Sequence, residues 1–508
     1  MSEKIAAMDA AMMNAIDIPM PPEKDPYKGT DLANAEHFAE RYRGELRYCP
    51  QGKKWLVWTS THWSRDNKKK AERLAGKMVR SLYEDAAKHD EPGRRRQISR
   101  MANRLEGRNP LMSMLHLAKS YLAIDPSELD TDLWLLNCGN GTVDLRTGQL
   151  MPHQPEHYIT RCLPVDYSPD AKCDAWRAFL GSVFGGNSEL IGFIQRAVGY
   201  SLTGDTSEQA MFVLHGAGSN GKSTLLTILQ NLLAGYARQA APNLLLAKRS
   251  ESHPTGLADL FGCRMVVSSE SGEGRQFDEA LVKHLTGGDL IRARRMHEDF
   301  WEFVPTHKLW LATNHKPGVK GTDHAIWRRI YLVPFNQTFY DVASGKIPVK
   351  DPTLTEKLRG ELPGILRWAV EGSLAWQKQG LAPPEIVRQA TKGYQTEMDV
   401  VGQFLSECCA TDNPAAVVKS KDLYEGYRAW CQENGESPET QRRFGQKISD
   451  RGFVRVKNNA IWYRGVRLLA GVTGGVGGSK LFYPETPITE SSNAMNGNHP
   501  PVPPVLSH

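Results

Sequence analysis

A glycine-rich loop near the middle of the chain has the residue types that bind phosphate. It places small residues before a lysine and a serine, in the order Gly216, Ala217, Gly218, Ser219, Asn220, Gly221, Lys222, Ser223 and Thr224. Glycines let backbone N–H groups approach phosphate oxygens, and a lysine at this spacing neutralises the β- and γ-phosphates. The Ser223 hydroxyl is suited to ligate Mg²⁺. The spacing therefore predicts a site for ATP, with Mg²⁺ as the second cofactor.

The segments on either side of this loop have the patterns that such a loop requires. Met211–His215 is a short apolar run typical of a buried strand, and residues 224–233 are rich in helix-forming residues. A helix that begins directly after the loop adds its dipole to phosphate binding. We therefore predict a strand, a loop and a helix in that order.

Two acidic residues follow the next apolar run. Residues 261–270 read as a second strand that ends at Glu270, and Glu273 lies three residues further on. A carboxylate at the tip of such a strand can hold the Mg²⁺ shell and orient the water that attacks the γ-phosphate. We predict Glu270 as the base and as a metal ligand together with Ser223, and Glu273 is the alternative base.

A polar residue and two arginines complete the candidate catalytic set. Residues 308–314 read as a third strand ending at Asn314, whose amide could sense the γ-phosphate. Arg328 and Arg329 precede a further strand, and we predict that Arg329 reaches a neighbouring subunit's ATP site. Arg328 is the substitute, and an intramolecular salt bridge is the alternative role for these side chains.

These segments together resemble superfamily 3 helicases, specifically the phage and plasmid primase-helicase family related to poxvirus replicative NTPases. The resemblance extends over residues 35–340, more weakly before the loop, and its main motifs are residues 216–224, 269–274, 283–289, 312–317, 326–330 and 333–335. It implies an AAA+-like, superfamily 3 ATPase core. Two adjacent acids are common in that family, whereas Glu270 and Glu273 are separated here.

The same resemblance implies a β-hairpin that projects into the channel of a ring and contacts DNA. Residues 290–297 and 300–304 alternate as two strands of such a hairpin. The candidate DNA contacts on it are Arg292, Arg294, Arg295 and His297.

The last third of the chain has the element order of a winged helix. Helices, a short strand and a final hairpin follow one another over residues 397–465, with a tight turn at Asn458 and Asn459. Basic residues on the third helix and the hairpin are candidate DNA contacts, namely Arg442, Arg443, Lys447, Arg455 and Lys457. The alternative is a wing that packs on neighbouring subunits.

Length and composition set the remaining expectations. A chain of 508 residues with a net charge of +6 permits a nucleic-acid partner, and its eight scattered cysteines predict reduced thiols without a structural metal. The sequence contains no apolar run long enough to span a bilayer, so we expect an intracellular, cytoplasmic protein without a membrane partner.

The patterns divide the chain into seven regions. They are a disordered N-terminus (1–30), an α+β domain (31–175), a helical subdomain (176–207), the ATPase core (208–345), a helical connection (346–396), the winged helix (397–468) and a flexible tail (469–508).

The resemblance implies an ATP-dependent replicative DNA helicase of a phage, prophage or plasmid-like element, acting at replicating DNA. Such an enzyme translocates on single-stranded DNA as a homo-oligomeric ring, which the resemblance implies is a hexamer, and opens forked DNA. The first 200 residues contain neither the clustered carboxylates of a polymerase site nor a zinc finger, so we expect primer synthesis to be absent or to be supplied by a separate primase as a partner. The alternatives are a DNA-binding initiator or loader with little unwinding, and a P-loop small-molecule kinase.

Overall fold

The computed structural model describes residues 25, 27–247, 255–270, 272, 274–295, 299–319, 324–344 and 347–469. Most of the expected disordered ends, residues 1–30 and 469–508, lie outside these ranges. The chain divides into two compact units, Met1–Met398 and Asp399–His508. The other predicted domain boundaries stay predictions.

The first unit begins with a small sheet and four helices. In chain order these are α1 (Asp31–Tyr42), β1 (Leu46–Cys49), β2 (Lys54–Trp58), β3 (Trp63–Arg65), α2 (Lys70–Lys88), α3 (Pro92–Glu106) and α4 (Arg108–Tyr121). Helix α2 forms because Leu74, Met78 and Leu82 recur every four residues and are buried on one face. The antiparallel strands lie in the order β1-β2-β3.

A second antiparallel sheet and two helices lead to the central sheet. They are β4 (Leu135–Cys138), β5 (Gly141–Asp144), β6 (Gln149–Met151), α5 (Asp174–Val183) and α6 (Ser188–Leu202). Both helices were expected from their apolar spacing. Trp176 and Phe193, which lie on them, belong to the same buried cluster as Phe212 of the central sheet. The two helices are therefore part of the core of the first unit.

The centre of the first unit is a parallel five-stranded sheet. The segments here are β7 (Met211–His215), α7 (Lys222–Leu233), β8 (Ala237–Gln239), α8 (Thr255–Ala258), β9 (Met265–Glu270), α9 (Glu279–Gly287), β10 (Ile291–Ala293), β11 (Trp301–Phe303), β12 (Lys308–Thr313), α10 (His324–Trp327) and β13 (Ile330–Pro334). The strand order is β13-β7-β12-β9-β8, and all four pairings are parallel. This sheet with its helices is an α/β P-loop-like core.

Because the strands are parallel, their carboxyl ends lie at one edge of the sheet. The register pairs Thr313 with Glu270 on one side and with His215 on the other. The predicted strand ends are therefore neighbours, at the edge where ligands bind in such sheets.

The first unit ends with three helices, α11 (Leu354–Gly360), α12 (Leu362–Gln379) and α13 (Glu385–Met398). Helix α12 packs closely on α6, since a Cβ on Gly199 would lie 2.0 Å from the backbone nitrogen of Ser373. No helix of the described chain is both long and apolar enough to cross a membrane.

The second unit is a small α+β fold with its own core. Its elements are α14 (Val400–Cys408), β14 (Cys409–Ala410), β15 (Val417–Lys419), α15 (Ser420–Glu433), α16 (Gln441–Asp450), β16 (Val454–Asn458), β17 (Ala460–Arg464) and β18 (Arg467–Leu468). The buried rings of Phe404, Tyr427 and Phe444 meet at its centre. Strands β16 and β17 form the expected hairpin.

Candidate nucleotide-binding site

The glycine-rich loop lies where the sequence predicts it, between the end of β7 and the start of α7. Two of its glycines are required by geometry. A Cβ on Gly216 would lie 2.3 Å from the Phe335 carbonyl oxygen, and Gly221 has a φ of +89° with a Val183 methyl 2.7 Å from where its Cβ would be. Any larger residue would push the loop away from these neighbours.

Lys222 is the first residue of α7 and is almost fully buried, with 6% of its surface exposed. Its Nζ donates to the carbonyl oxygen of Gly216 at 2.6 Å and to Asn220 Oδ1 at 3.0 Å. The ammonium group is thus satisfied by neutral oxygens of the loop itself. A phosphate placed over the loop would offer charged oxygens in exchange, and hydrogen bonds to charged groups are the stronger ones.

Asn314, which follows β12, meets this lysine directly. The Asn314 Oδ1 accepts a hydrogen bond from Lys222 Nζ at 3.0 Å. The two residues are 92 positions apart in the chain. Their contact follows from the parallel pairing of β7 with β12, which brings the end of β12 beside the loop.

The N-terminus of α7 has the open donors that an anion needs. Its N-cap is Gly221, and no side chain caps the helix there. The first N–H groups of a helix have no intrahelical partner, so these remain free for phosphate oxygens. The exposed Ser223 and half-buried Thr224 follow Lys222 on the same turn. The residues therefore fit a triphosphate, with the Ser223 hydroxyl open to a bound cation.

Burial lowers the pKa of the Lys222 ammonium from 10.5 to about 8. Phosphate charge raises such a pKa, so we expect the protein to take up a proton when it binds MgATP. At pH 8.5 the uptake should be about three quarters of a proton per ATP, falling to about a tenth at pH 7. Calorimetry in buffers of different ionisation enthalpy measures this number.

The control for this experiment is Lys222→Arg, because a guanidinium stays protonated throughout this pH range. It should bind MgATP with no uptake of protons at either pH. Equal uptake by the wild type and by this variant would mean that Lys222 is not the group that gains the proton.

One of the two candidate acids, Glu270, ends the strand that pairs with β12. Glu270 is the last residue of β9, and its backbone pairs with Thr313. The side chain of Glu270 and the whole of Glu273 lie outside what the structure describes. The choice between the two acids therefore stays open on geometry.

The two arginines lie at the opposite edge of the sheet. They come just before β13, which runs parallel to β7 and ends near the phosphate loop. The five residues of β13 therefore separate the arginines from the loop by roughly 16 Å. Arg329 is buried, and its Nε donates to Thr286 Oγ1 at 3.1 Å. Arg328 is exposed and donates to the side chain of Gln209. Neither arginine adjoins the phosphate loop of its own chain.

The predicted hairpin is present as β10 and β11, which pair in antiparallel register. Ile291 and Ala293 are buried, so the alternating Arg292 points outward. The guanidinium carbons of Arg292 and Arg294 lie 4.7 and 4.8 Å from the centre of the Phe300 ring, which is 45% exposed. Arg295 is half-buried, and His297 lies outside the described residues.

The basic residues of the second unit differ in their surroundings. Arg442 and Arg443 are exposed in the first turn of α16, and Arg455 and Lys457 are exposed on β16. Lys447 instead forms an ion pair with Glu439 at 2.8 Å in which both side chains are largely covered. The four exposed residues are available to an anionic partner, whereas Lys447 is engaged within its own fold.

One part of the site was not predicted from the sequence. The segment after β13 holds the phosphate loop in place, because the Phe335 carbonyl accepts from Asn220 Nδ2 at 3.2 Å. The Phe339 N–H donates to the Ser219 carbonyl at 2.8 Å. The Val333-Pro334-Phe335 motif is part of the family resemblance, and it is the sequence feature that could have indicated a segment that supports the phosphate loop.

Three protein families match successive parts of the chain. Residues 35–185 match the D5 N terminal like family, residues 214–329 a family of unknown function (DUF5906), and residues 396–459 the Poxvirus D5 protein-like family. The first and last belong to one kind of protein, and they lie in the order that the sequence resemblance implies.

The similar curated proteins come from large DNA viruses and carry the name "Putative helicase". The protein of Acanthamoeba polyphaga mimivirus is 28% identical, and the match covers 62% of this chain and 35% of that protein. The protein of Frog virus 3 is 27% identical, and the match covers 53% of this chain and 29% of that protein. The chain thus spans about a third of these relatives. Among solved structures, the apo C-terminal region of NrS-1 aligns with 88% of this chain and 100% of its own at 10% identity and a TM-score of 0.44.

Proposed function

We propose that this chain, which belongs to the D5-like primase-helicase family, is an ATP-dependent replicative DNA helicase of a phage, prophage or plasmid-like element. The observation that carries the proposal is the hydrogen bond from Lys222 to Asn314, because it joins the phosphate loop to the end of the neighbouring strand. ATP hydrolysis breaks the contact with the γ-phosphate, so Asn314 can pass that change to β12 and to the hairpin before it.

The residues of the loop have separate roles in this proposal. Lys222 exchanges the Gly216 and Asn220 oxygens for the β- and γ-phosphates, and the free N–H groups of α7 hold the same oxygens. Ser223 and Glu270 would hold Mg²⁺, which neutralises the charge that develops on the phosphates. Glu270, or Glu273 if the turn brings it closer, orients the attacking water.

Glu270→Gln is expected to leave ATP binding intact and to lower turnover on the order of 10²-fold, since an amide cannot accept the proton of the attacking water. Steady-state ATPase rates together with binding of a fluorescent ATP analogue test this. Glu273→Gln is the matched variant, with the same change of charge three residues away. If it gives the larger loss of turnover, Glu273 is the base instead.

We further propose that the ATP site is completed by an arginine from a neighbouring subunit of a homo-oligomeric, hexameric ring. Both candidate arginines lie a strand's length from the phosphate loop of their own chain, so action within one chain is disfavoured. A residue that reaches into another subunit must leave its own core. This requirement favours the exposed Arg328 over the buried Arg329.

In this proposal DNA passes the hairpin of each subunit, where Arg292 and Arg294 face outward beside Phe300. The second unit would act as a winged helix, with Arg442 and Arg443 on the third helix and Arg455 and Lys457 on the wing. A separate primase remains the proposed partner.

An initiator or loader with little unwinding is the second candidate, because its DNA-binding unit and ATP site would look the same. A small-molecule kinase is less favoured, since it requires neither the hairpin nor the second unit.

A further inference from the structure

Positive charge is concentrated in the first 90 residues that the structure describes in full. Residues 31–121 contain 20 Lys and Arg against 11 Asp and Glu, a net charge of +9, although the full chain carries only +6. The rest of the chain, including the proposed DNA-binding hairpin and winged helix, is therefore slightly acidic in total. A charge of this size on one small fold indicates a polyanionic partner.

Part of this charge surrounds a groove of about 880 Å³ between the first sheet and α4. One side is formed by β2, β3 and the start of α2, and the other by α4. The cavity is as large as many ligand pockets, and it is open to solvent. Its basic lining residues are Lys53, Lys54, Arg65, Lys69, His116 and Lys119.

The carboxylates in this groove already have partners. Asp66 accepts the backbone N–H groups of Lys70 at 2.7 Å and of Ala71 at 2.9 Å. Glu72 pairs with Lys69 at 3.4 Å, and Asp31 pairs with Arg104 at 3.5 Å. Asp66 is therefore held by the start of α2, whereas Glu72 and Asp31 take part in exposed ion pairs.

The cations on the sheet side are not neutralised in this way. In the described parts of the chain, Lys53, Lys54 and Arg65 form no ion pair with a carboxylate. Lys53 and Arg65 are exposed, and Lys54 is half-buried. The groove therefore offers positive charge to an anion at its sheet side.

Aromatic side chains lie beside these cations. Trp55 lines the groove and is paired across β1 and β2 with Tyr48, their ring centres 5.2 Å apart. Lys119 Nζ lies 5.0 Å from the centre of the Tyr48 ring. Met112, on the α4 side, is 46% exposed. Trp55 is half-buried, packs partly on the core of the first helices and lines the same groove as the lysines. Such an indole can stack on a base while the lysines of the groove bind phosphates.

We propose that this groove binds single-stranded DNA without sequence preference, as a contact separate from the motor's hairpin and from the second unit. Phosphates would lie along Lys53, Lys54 and Arg65, and one base would stack on Trp55. Duplex DNA keeps its bases stacked on each other, so the indole selects the single strand. If the chain is a helicase, such a site would hold one DNA strand outside the channel. Binding at this groove requires no ATP.

The test uses the full chain, without nucleotide, and a dT oligonucleotide in which 5-iododeoxyuridine replaces one thymidine. Irradiation joins this base to an aromatic side chain stacked on it, and mass spectrometry of the peptides identifies the residue. We expect a cross-link at Trp55. In the triple variant Lys53→Ala, Lys54→Ala, Arg65→Ala, the yield of this cross-link should fall at least tenfold. The slope of log affinity against log salt concentration should become less steep by about 2.

The matched control is Arg73→Ala, Lys77→Ala, Arg80→Ala, which removes the same charge from an exposed stripe of α2 outside the groove. It should keep the Trp55 cross-link within about twofold, and thermal unfolding should show that both variants fold. An unchanged Trp55 cross-link in the groove variant, or an equal loss in the control, would overturn the proposal. So would competition by duplex DNA or by oligoglutamate as strong as that by unlabelled dT oligonucleotide. Because no ATP is present, failure here leaves the motor proposal untouched.

Discussion

Lys222→Ala is expected to lower ATP hydrolysis on the order of 10³-fold or more. Among the described residues, the Lys222 ammonium is the side-chain cation that bonds to the loop, through Gly216 and Asn220, and its loss leaves the β- and γ-phosphates without that charge in a buried setting. The fold should remain, because within the described residues the Lys222 side chain donates to the loop and to Asn314 and to no other element. ATPase rates and thermal unfolding, each with and without MgATP, measure the two effects.

Lys350→Ala is the matched control for this prediction. Lys350 is a half-buried lysine of the same unit, paired with Asp341, and the Lys350→Ala protein should hydrolyse ATP like the wild type. The Lys222→Ala protein should unfold within a few degrees of the wild type without nucleotide and should lose the stabilisation by MgATP. Turnover near the wild-type rate in a folded Lys222→Ala protein would contradict the assignment of the site.

Arg328→Ala is expected to lower hydrolysis on the order of 10³-fold while ATP binding stays intact, as loss of an arginine supplied by a neighbouring subunit does in P-loop enzymes. Arg329→Ala is the comparison, because it removes the adjacent guanidinium, which is buried against Thr286. That variant should lower the unfolding temperature, since it leaves a buried hydroxyl without its donor. The sequence alone favoured Arg329, and the burial of its side chain is the reason for preferring Arg328.

Mixing the Arg328→Ala and Lys222→Ala proteins separates action between subunits from action within one chain. In a mixed ring, some interfaces join an intact Lys222 to an intact Arg328, so part of the ATPase activity should return. Exchange of subunits must be verified first, for example by energy transfer between labelled proteins. No recovery after proven exchange would contradict an arginine that acts between subunits.

The core could be predicted because its strands are buried on both faces and read as short apolar runs. Met211–His215 was predicted with its observed bounds, and Asn314 was expected at the ligand-binding edge of a parallel sheet. The hydrogen bond between Lys222 and Asn314 was not predicted. The antiparallel hairpin was also found, although its strands are shorter than the alternation suggested. For these strands, the pattern of apolar and polar residues within the segment was enough to predict the element.

Features that depend on distant neighbours could not be predicted. The sequence placed Lys308 at the start of the third strand without indicating where its side chain lies; the side chain is buried, and its Nζ donates to the Asp205 carbonyl at 3.1 Å. Arg328 and Arg329 are identical in type, and only the packing around them distinguishes them. The N-terminal groove joins residues near 53–72 to residues near 109–119, and no local spacing indicates that these segments meet.

Displacement of a labelled strand from forked DNA tests the central claim most directly. The wild type with ATP and Mg²⁺ should release the strand, while Lys222→Ala and the wild type with a non-hydrolysable ATP analogue should not. ATP hydrolysis that single-stranded DNA stimulates, with the fork left intact at every protein concentration, would contradict a helicase and favour the initiator or loader.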